Sequence, residues 1–277
     1  MQADDEPAAR VWLERHPARD VQLAAILWRH GCLVPEAMGD LLGWFPGGVL
    51  AGVALLGPTT LLSCGDAAAL RWLGRQAGTI SQVMAPRAMV GAFLSEIAQR
   101  PPDLERPALL GLSLSEAPTA ESSALLRRGR PEDLGLLRPH CRAVTIEELG
   151  VDPEEWQSEA FVGGLRRRLE LGRELVWTRG ETLLFRAGIG AVGPAAALIE
   201  GVWVPPEQRR QGIARAAMAA VARSLIPLHG RVALFVAPEN QPARALYAEL
   251  GFQPGETLSA AFWKPAPPRR RRMSLLR

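Results

Sequence analysis

The apolar positions in the first half of the chain alternate between helical and extended spacing. Leu23, Ile26 and Leu27 share one face of a helix predicted over 20–30. Asp66 stands where an N-cap would begin a second helix, ending near residue 76. Apolar runs predict strands over 48–56, 60–63, 79–84 and 109–114. Strands interleaved with helices indicate a small α/β domain.

The pattern becomes sharper in the second half. Thr145 and Glu148 have the spacing of a capping box, which predicts that a helix begins at Thr145. Gly180 lies in a short turn that joins two strands into a hairpin. Further helices are predicted over 158–171, 212–225 (ending before Pro227) and 241–250, and strands over 174–178, 182–187, 195–204, 231–236 and 259–263. These elements predict a mixed sheet flanked by helices, hence an α/β (α+β) fold.

Composition shifts divide the chain into three parts. Gly, Pro and Arg accumulate over 129–140, which predicts a boundary there. We therefore expect an N-terminal α/β domain over 1–134 and a second domain over 135–265. Residues 266–277 form a basic Pro/Arg tail with too little apolar content to pack, and we expect this tail to be disordered.

Composition and charge narrow the functional classes. The 277 residues are 48% hydrophobic and 22% charged, as in folded globular proteins, and the net charge is only +3. Nucleic-acid binding is therefore not expected, except weakly at the arginines of 269–272. The 3 cysteines have no metal-site or disulfide spacing, and the longest apolar run, 47–57, is too short to cross a bilayer. We expect a cytoplasmic protein with no membrane partner.

A candidate anion site follows the strand over 195–204. Arg209-x-x-Gly212-x-Ala214 opens directly into a helix, whose first backbone N–H groups are unpaired and carry partial positive charge. Gly212 allows close backbone approach, and Arg209 and Arg210 add charge, which suits a phosphate or pyrophosphate. By itself this pattern is equally typical of a basic helix N-terminus on a solvated surface. It is neither a Walker loop nor a dinucleotide fingerprint.

A second strand–helix unit follows the candidate anion site and makes the combined pattern more specific. The strand over 231–236 leads into Asn240-x-x-Ala243-x-x-x-Tyr247, followed by Gly251-Phe252. Together, the two units resemble the GNAT N-acetyltransferase superfamily over about 137–263. Arg173 after Gly172, the hairpin, and the segment 200–204 further resemble a two-domain subset with an uncharacterised N-terminal domain. In that subset the first domain can be a degenerate copy of the same fold.

The resemblance implies acetyl-CoA as co-substrate and no metal. It implies that the 209–214 loop binds the pyrophosphate, that 202–204 offer main-chain groups to the pantetheine, and that the Asn240 helix lies near the thiol. The implied cofactor-binding residues are Val202, Trp203, Val204, Arg209, Arg210, Gln211, Gly212, Ile213, Ala214, Asn240 and Ala243. Many family members have glycine where this chain has Arg210, a departure that we expect binding to tolerate.

Two residues are candidates for the chemistry. Tyr247 stands where the resemblance calls for a general acid that protonates the leaving thiolate, although a helix tyrosine packed on Phe252 is the alternative. Glu200 interrupts an apolar strand, as a base or substrate contact or as a solvent-exposed residue, and a water-relayed proton path would need no dedicated base.

The function expected from these residues is acetyl-CoA-dependent N-acetylation of a primary amine by direct attack in a ternary complex. The acceptor, a small molecule, a peptide or a protein, is left open. The alternative is a non-catalytic GNAT-like module that binds CoA as a sensor or adaptor. The N-terminal domain could shape the acceptor site or a homodimer interface.

Overall fold

A computed structural model describes residues 1–119 and 124–264, so the tail expected over 266–277 lies outside the described residues. The α-helices are α1 (Glu6–Glu14), α2 (Val21–His30), α3 (Ala67–Gln76), α4 (Arg87–Leu94), α5 (Leu134–Leu149), α6 (Pro153–Glu170), α7 (Ile213–His229) and α8 (Gln241–Glu249). The strands are β1 (Asp40–Trp44), β2 (Gly52–Leu56), β3 (Thr59–Cys64), β4 (Gln82–Pro86), β5 (Leu104–Leu114), β6 (Arg127–Arg128), β7 (Glu174–Arg179), β8 (Thr182–Val192), β9 (Ala197–Trp203), β10 (Val232–Val236) and β11 (Gln253–Phe262).

The two halves of the chain repeat one topology. Two helices come first in each half, followed by β1-β2-β3-α3-β4-α4-β5 or β7-β8-β9-α7-β10-α8-β11. In both halves the first three of these strands are antiparallel neighbours, and the third and fourth are parallel. The α/β expectation, including a first half that copies the second, is confirmed.

The halves exchange their last strands. Within the described residues the strands form one sheet, in the order β1-β2-β3-β4-β11-β5-β10-β9-β8-β7-β6. β11 is antiparallel to β4, with Leu258 opposite Pro86, and β5 is antiparallel to β10, with Val232 opposite Leu114. The strand expected over 259–263 is therefore longer and lies in the middle of the sheet. The domain division at 134/135 stays a prediction, and the sheet runs across it.

Successive residues of β9 contact helices on opposite faces of the sheet. Ile199 of β9 packs in the core formed with α7 and α8, whereas its neighbour Leu198 packs against Val21 of α2. Trp203, beyond an irregularity in β9, joins the core with α5 and α6. One face of β9 is thus covered by helices from both halves of the chain.

Three predicted helix boundaries are wrong. The helix expected over 158–171 begins at Pro153, because Asp152 caps it by accepting from the Glu154 N–H at 3.0 Å. Thr145 does not begin a helix: it lies inside α5, where its hydroxyl donates to the Cys141 carbonyl at 2.9 Å. Such an internal bond satisfies the threonine without an N-cap. α7 also continues past Pro227 to His229, because a proline in the last turn removes few helix hydrogen bonds. No helix in the described part of the chain is long and apolar enough to cross a membrane.

Candidate active site

An opening in the sheet separates β9 from β10. The two strands pair only through Ala197 with Val232 and Leu198 with Ala233. Beyond these pairs β9 continues to Trp203 and β10 to Val236 with no ladder between them. The backbone over 199–203 therefore presents a free hydrogen-bonding edge on the side of β10.

The N-terminus of α7 lies just beyond the end of β9. Its cap residue Gly212 has φ 74°, and a Cβ added there would meet no atom within 4 Å. Arg210, with φ 62°, is the non-glycine residue with positive φ among the described residues. The loop thus turns left-handed twice and leaves open space before the first helical N–H groups. This geometry suits an anion.

The corresponding helix of the first half is closed to an anion. Asp66 caps α3 with its own carboxylate, which accepts from the backbone N–H groups of Ala68 at 2.7 Å and Ala69 at 2.9 Å. That negative charge occupies the position that a phosphate would need. Of the two equivalent helices, α7 is the one whose N-terminus can take an anion.

Arg209 is bound to the protein and does not stand free at the loop. Its guanidinium lies 4.8 Å from the centre of the Trp203 ring, and its Nε donates to the Val204 carbonyl at 3.1 Å. Nη2 donates to Glu147 of α5 at 2.8 Å. Arg209 therefore ties the end of β9 to α5, and the exposed Arg210 is the freer charge at the helix start.

Asn240 caps α8, which carries Ala243 and Tyr247, and Tyr247 packs in the same core as Ile199 of β9. The Asn240 side chain accepts from the Ala243 N–H at 3.1 Å and so caps the helix. Tyr247 is 5% exposed, and its hydroxyl makes no hydrogen bond with any described residue. Burial and the charge of Glu148 raise the pKa of Tyr247. The phenol is therefore protonated, and a hydrogen-bond donor, at neutral pH.

The Glu200 side chain lies against two glycines of the neighbouring strand β8. It is exposed on the face of β9 that α2 covers, and a Cβ added to Gly190 of β8 would overlap its carboxylate. Gly188, also on β8, has the Glu200 side chain beside it, at 3.5 Å from the position of an added Cβ. The next residue, Gly201, has φ 55° and marks a register shift in the pairing with β8.

A buried ion pair fixes this irregularity. Arg186 of β8 donates to the Gly201 carbonyl at 2.6 Å and to the Glu174 carboxylate. Arg168 of α6 donates to the other Glu174 oxygen at 2.7 Å. Glu174 is fully buried and Arg186 is 3% exposed, so their charges are paired away from water. The arrangement holds the bulged backbone beside Glu200 in one conformation.

The comparison with known families decides the identity of this half. Residues 175–252 match the family model described as Acetyltransferase (GNAT) family. The chain contains a GNAT domain. The match includes the opening, the α7 loop, Asn240 and Tyr247, and it confirms the resemblance found in the sequence.

Solved structures share the fold over nearly the whole chain. A Drosophila protein is 12% identical, covers 96% of this chain and 98% of its own length, and has a TM-score of 0.64. An acetyltransferase of the GNAT family from Colwellia psychrerythraea is 13% identical, covers 92% of this chain and 97% of its own, and has a TM-score of 0.51. No curated protein matched the sequence. At these identities the likeness shows the fold alone.

One residue beside the candidate site was not expected there from the sequence. Glu148, predicted to lie at a helix start, lies in the last turn of α5 and is exposed, yet burial raises its pKa to about 7. The charge of Glu200 contributes in the same direction, while Arg186 and Arg106 oppose it. An acidic residue in the last turn of a helix is disfavoured by the helix dipole. The position of Glu148 is therefore the sequence signal that could have indicated a functional carboxyl.

Glu148 of α5, which precedes the matched residues, thus interacts electrostatically with both Glu200 and Tyr247. The hydrogen-bonding roles of Arg209 and Asn240 are internal to the protein. Among the described residues no three His, Cys, Asp or Glu side chains gather as a metal site.

Proposed function

We propose that the protein is an acetyl-CoA-dependent N-acetyltransferase. Its GNAT domain supports acetyl transfer in general. One observation carries the more specific proposal: the unpaired edge of β9 leads to the open N-terminus of α7, and Tyr247 packs in the same core as Ile199 of that edge.

The residues present fit acetyl-CoA. The free backbone over 199–203 can pair with the amide groups of a pantetheine arm, as an added strand would. The N–H groups after Gly212 can bind the pyrophosphate, and exposed Arg210 and Gln211 border that position. A bound acetyl-CoA supplies the thioester whose acyl group is transferred.

Glu148 serves as the base in this proposal. A carboxyl group with a pKa of about 7 is partly ionised at neutral pH and can accept the proton of an attacking amine. Solvent takes one proton from the cationic amine. The neutral nitrogen then forms a bond to the thioester carbonyl carbon as the carbonyl electron pair moves to oxygen, and a second N–H proton passes to Glu148. The exposed Glu200 lies on the same side of the sheet and attracts the cationic amine before it is deprotonated.

Tyr247 completes the transfer at the sulfur. As the C–S bond breaks, the electron pair leaves with the sulfur, and the Tyr247 hydroxyl donates its proton to the thiolate. Backbone N–H groups at the free edge of β9 stabilise the oxyanion that forms before the bond breaks. Solvent returns the proton to Tyr247 and removes the one held by Glu148.

An acetyl-CoA consumption screen tests the proposal. Amino acids, polyamines, aminoglycosides and peptides with free N-termini are offered as acceptors, and acetyl-CoA binding is measured separately by calorimetry. We expect micromolar binding and turnover with one acceptor class. Absence of binding would overturn the proposal. Binding without turnover across all classes would instead favour a CoA-binding sensor.

A further inference from the structure

An arginine in the turn before β7 points to the chemistry of the acceptor. Two backbone hydrogen bonds hold Arg173 in place. Its N–H donates to the Arg168 carbonyl at 2.7 Å, and its carbonyl accepts from the Ile189 N–H at 2.7 Å. Its Nη1 lies 3.4 Å from the Gly190 carbonyl oxygen. Gly190 is also the residue beneath the Glu200 carboxylate. A cation and an anion thus lie beside the same glycine.

Arg173 has no carboxylate partner in the described part of the chain. Arg168 and Arg186 both bind Glu174, the first residue of β7. Arg173 is half-buried and forms no ion pair with Glu200 or any other described residue. Both groups therefore have unused capacity for a ligand.

The surroundings leave positive charge uncompensated. Burial lowers the pKa of Arg173, and the charges of Arg29 and Arg167 lower it further, while Glu200 opposes them. Three guanidinium groups thus act on one region that holds one carboxylate. A ligand anion bound there would relieve the repulsion and replace the missing partner.

The N-terminal half forms one wall of this region. Arg29 lies in the last turn of α2, and α2 packs on β8 and β9. Ala24 and Ala25 approach Gly193 closely, at 3.5 Å and 3.6 Å from the position of an added Cβ. Residues from both halves of the chain therefore surround the Arg173 turn and the glycines of β8.

We infer that this surface binds the acceptor and that the acceptor is an amino acid, whose carboxylate pairs with Arg173 while its amine lies toward Glu200. Because Gly190 has no side chain, the Glu200 carboxylate lies directly over it, beside the contact that Arg173 makes with the Gly190 carbonyl. Arg29 adds to the field that attracts the carboxylate. This inference rests on the proposed function and gives the N-terminal half a role in acceptor recognition.

Matched pairs of acceptors test the inference. Each amino acid is compared with its amide, which keeps the amine and removes the negative charge; glycine and glycinamide, and alanine and alaninamide, are two such pairs. We expect the wild type to prefer the acids. Arg173→Gln should lower kcat/KM for the acids by roughly 10- to 100-fold, mainly through KM. It should leave the amides and acetyl-CoA affinity unchanged.

Two further variants and a binding measurement keep the test decisive. Arg29→Gln, at an exposed residue, should show a smaller loss in the same direction, and Arg179→Gln in the β7–β8 hairpin should show none. Calorimetry of the same acids and amides with the CoA-loaded protein gives a readout that does not depend on turnover.

The outcomes separate the two proposals. Amides that bind and react as well as acids overturn the inference, as does an equal loss for acids and amides in Arg173→Gln. Acetyl-CoA binding without amino-acid binding or turnover also overturns it but leaves the proposed function standing. Failure to bind acetyl-CoA overturns both.

Discussion

The rings of Tyr247 and Phe252 pack with their centroids 5.3 Å apart and their planes tilted by 53°. The backbone reinforces the contact, because the Phe252 N–H donates to the Tyr247 carbonyl at 2.9 Å. The Tyr247 ring is thus fixed by packing, while its hydroxyl makes no hydrogen bond with a described residue. Packing and chemistry at this residue can therefore be separated by removing one oxygen atom.

Tyr247→Phe keeps the ring contact and removes the proton donor. We expect kcat to fall by about 100-fold or more, as for loss of a general acid, with acetyl-CoA affinity within about twofold of the wild type. Steady-state kinetics and calorimetry measure the two effects. An unchanged kcat would show that the tyrosine is structural.

Glu148→Gln should change the pH profile of the reaction. In the wild type kcat/KM should rise with pH through about 7, as the Glu148 carboxyl loses its proton. The variant should lose that rise, together with about 100-fold in rate; any rise that persists belongs to the acceptor amine. Glu155→Gln, at an exposed glutamate of α6, is the control and should retain the wild-type profile.

The same group links stability to pH. The pKa of Glu148 is raised to about 7 in the folded protein, whereas an unfolded glutamate titrates near 4.5. Between these values the folded state binds more protons, so the Glu148 contribution to stability falls as pH rises from 4.5 to 7. Relative to the wild type, Glu148→Gln should therefore be more stable at pH 8 than at pH 4.5. Thermal unfolding at the two pH values measures this difference, and no difference would place the carboxyl in free solvent.

Gly212→Glu should abolish acetyl-CoA binding, because it places a negative charge and bulk where the pyrophosphate is proposed to lie. The matched control is Gly180→Glu in the β7–β8 turn. Gly180 also has a positive φ, 58°, and open space around an added Cβ, so strain and charge are equal in the two variants. Calorimetry should detect micromolar binding in the control only. Retained binding in Gly212→Glu would refute the proposed site.

Glu174→Gln should destabilise the fold strongly. The substitution leaves buried Arg186 without its charge partner, which costs about 3–5 kcal/mol for comparable pairs. Glu249→Gln removes an exposed partner of Arg215, and its cost should be below about 1 kcal/mol. Chemical denaturation measures both free energies of unfolding. Similar losses in the two variants would contradict the account of the buried pair.

Local signals in the sequence were sufficient for many elements of the fold. Asp66 was predicted as an N-cap and a helix was predicted over 241–250; in the structure the Asp66 and Asn240 side chains cap these two helices. The positions of β5 and β11 could not be predicted in this way. Leu258 pairs with Pro86 across more than half of the sequence, and no periodicity within either segment specifies that partner.

The site was predictable where a motif lies along one stretch of chain. The loop that ends at Gly212 and the helix that carries Tyr247 are of this kind. Glu148 and Arg173 acquire significance only when α5, the turn before β7 and the glycines of β8 meet. The spacing of Thr145 and Glu148 fits a capping box equally well, so the sequence alone could not distinguish a helix start from a site carboxylate.

The exchange of β5 and β11 has a consequence for biosynthesis. β4 forms early, but the strand that separates it from β5 is β11, which the ribosome makes after residue 252. Until then, the first half has an incomplete sheet with an unpaired edge at β4. The N-terminal half therefore cannot complete its sheet before the rest of the chain is made. A nascent chain interrupted before β11 would leave the β4 edge free to pair with another molecule. By covering that edge, β11 protects the chain against aggregation.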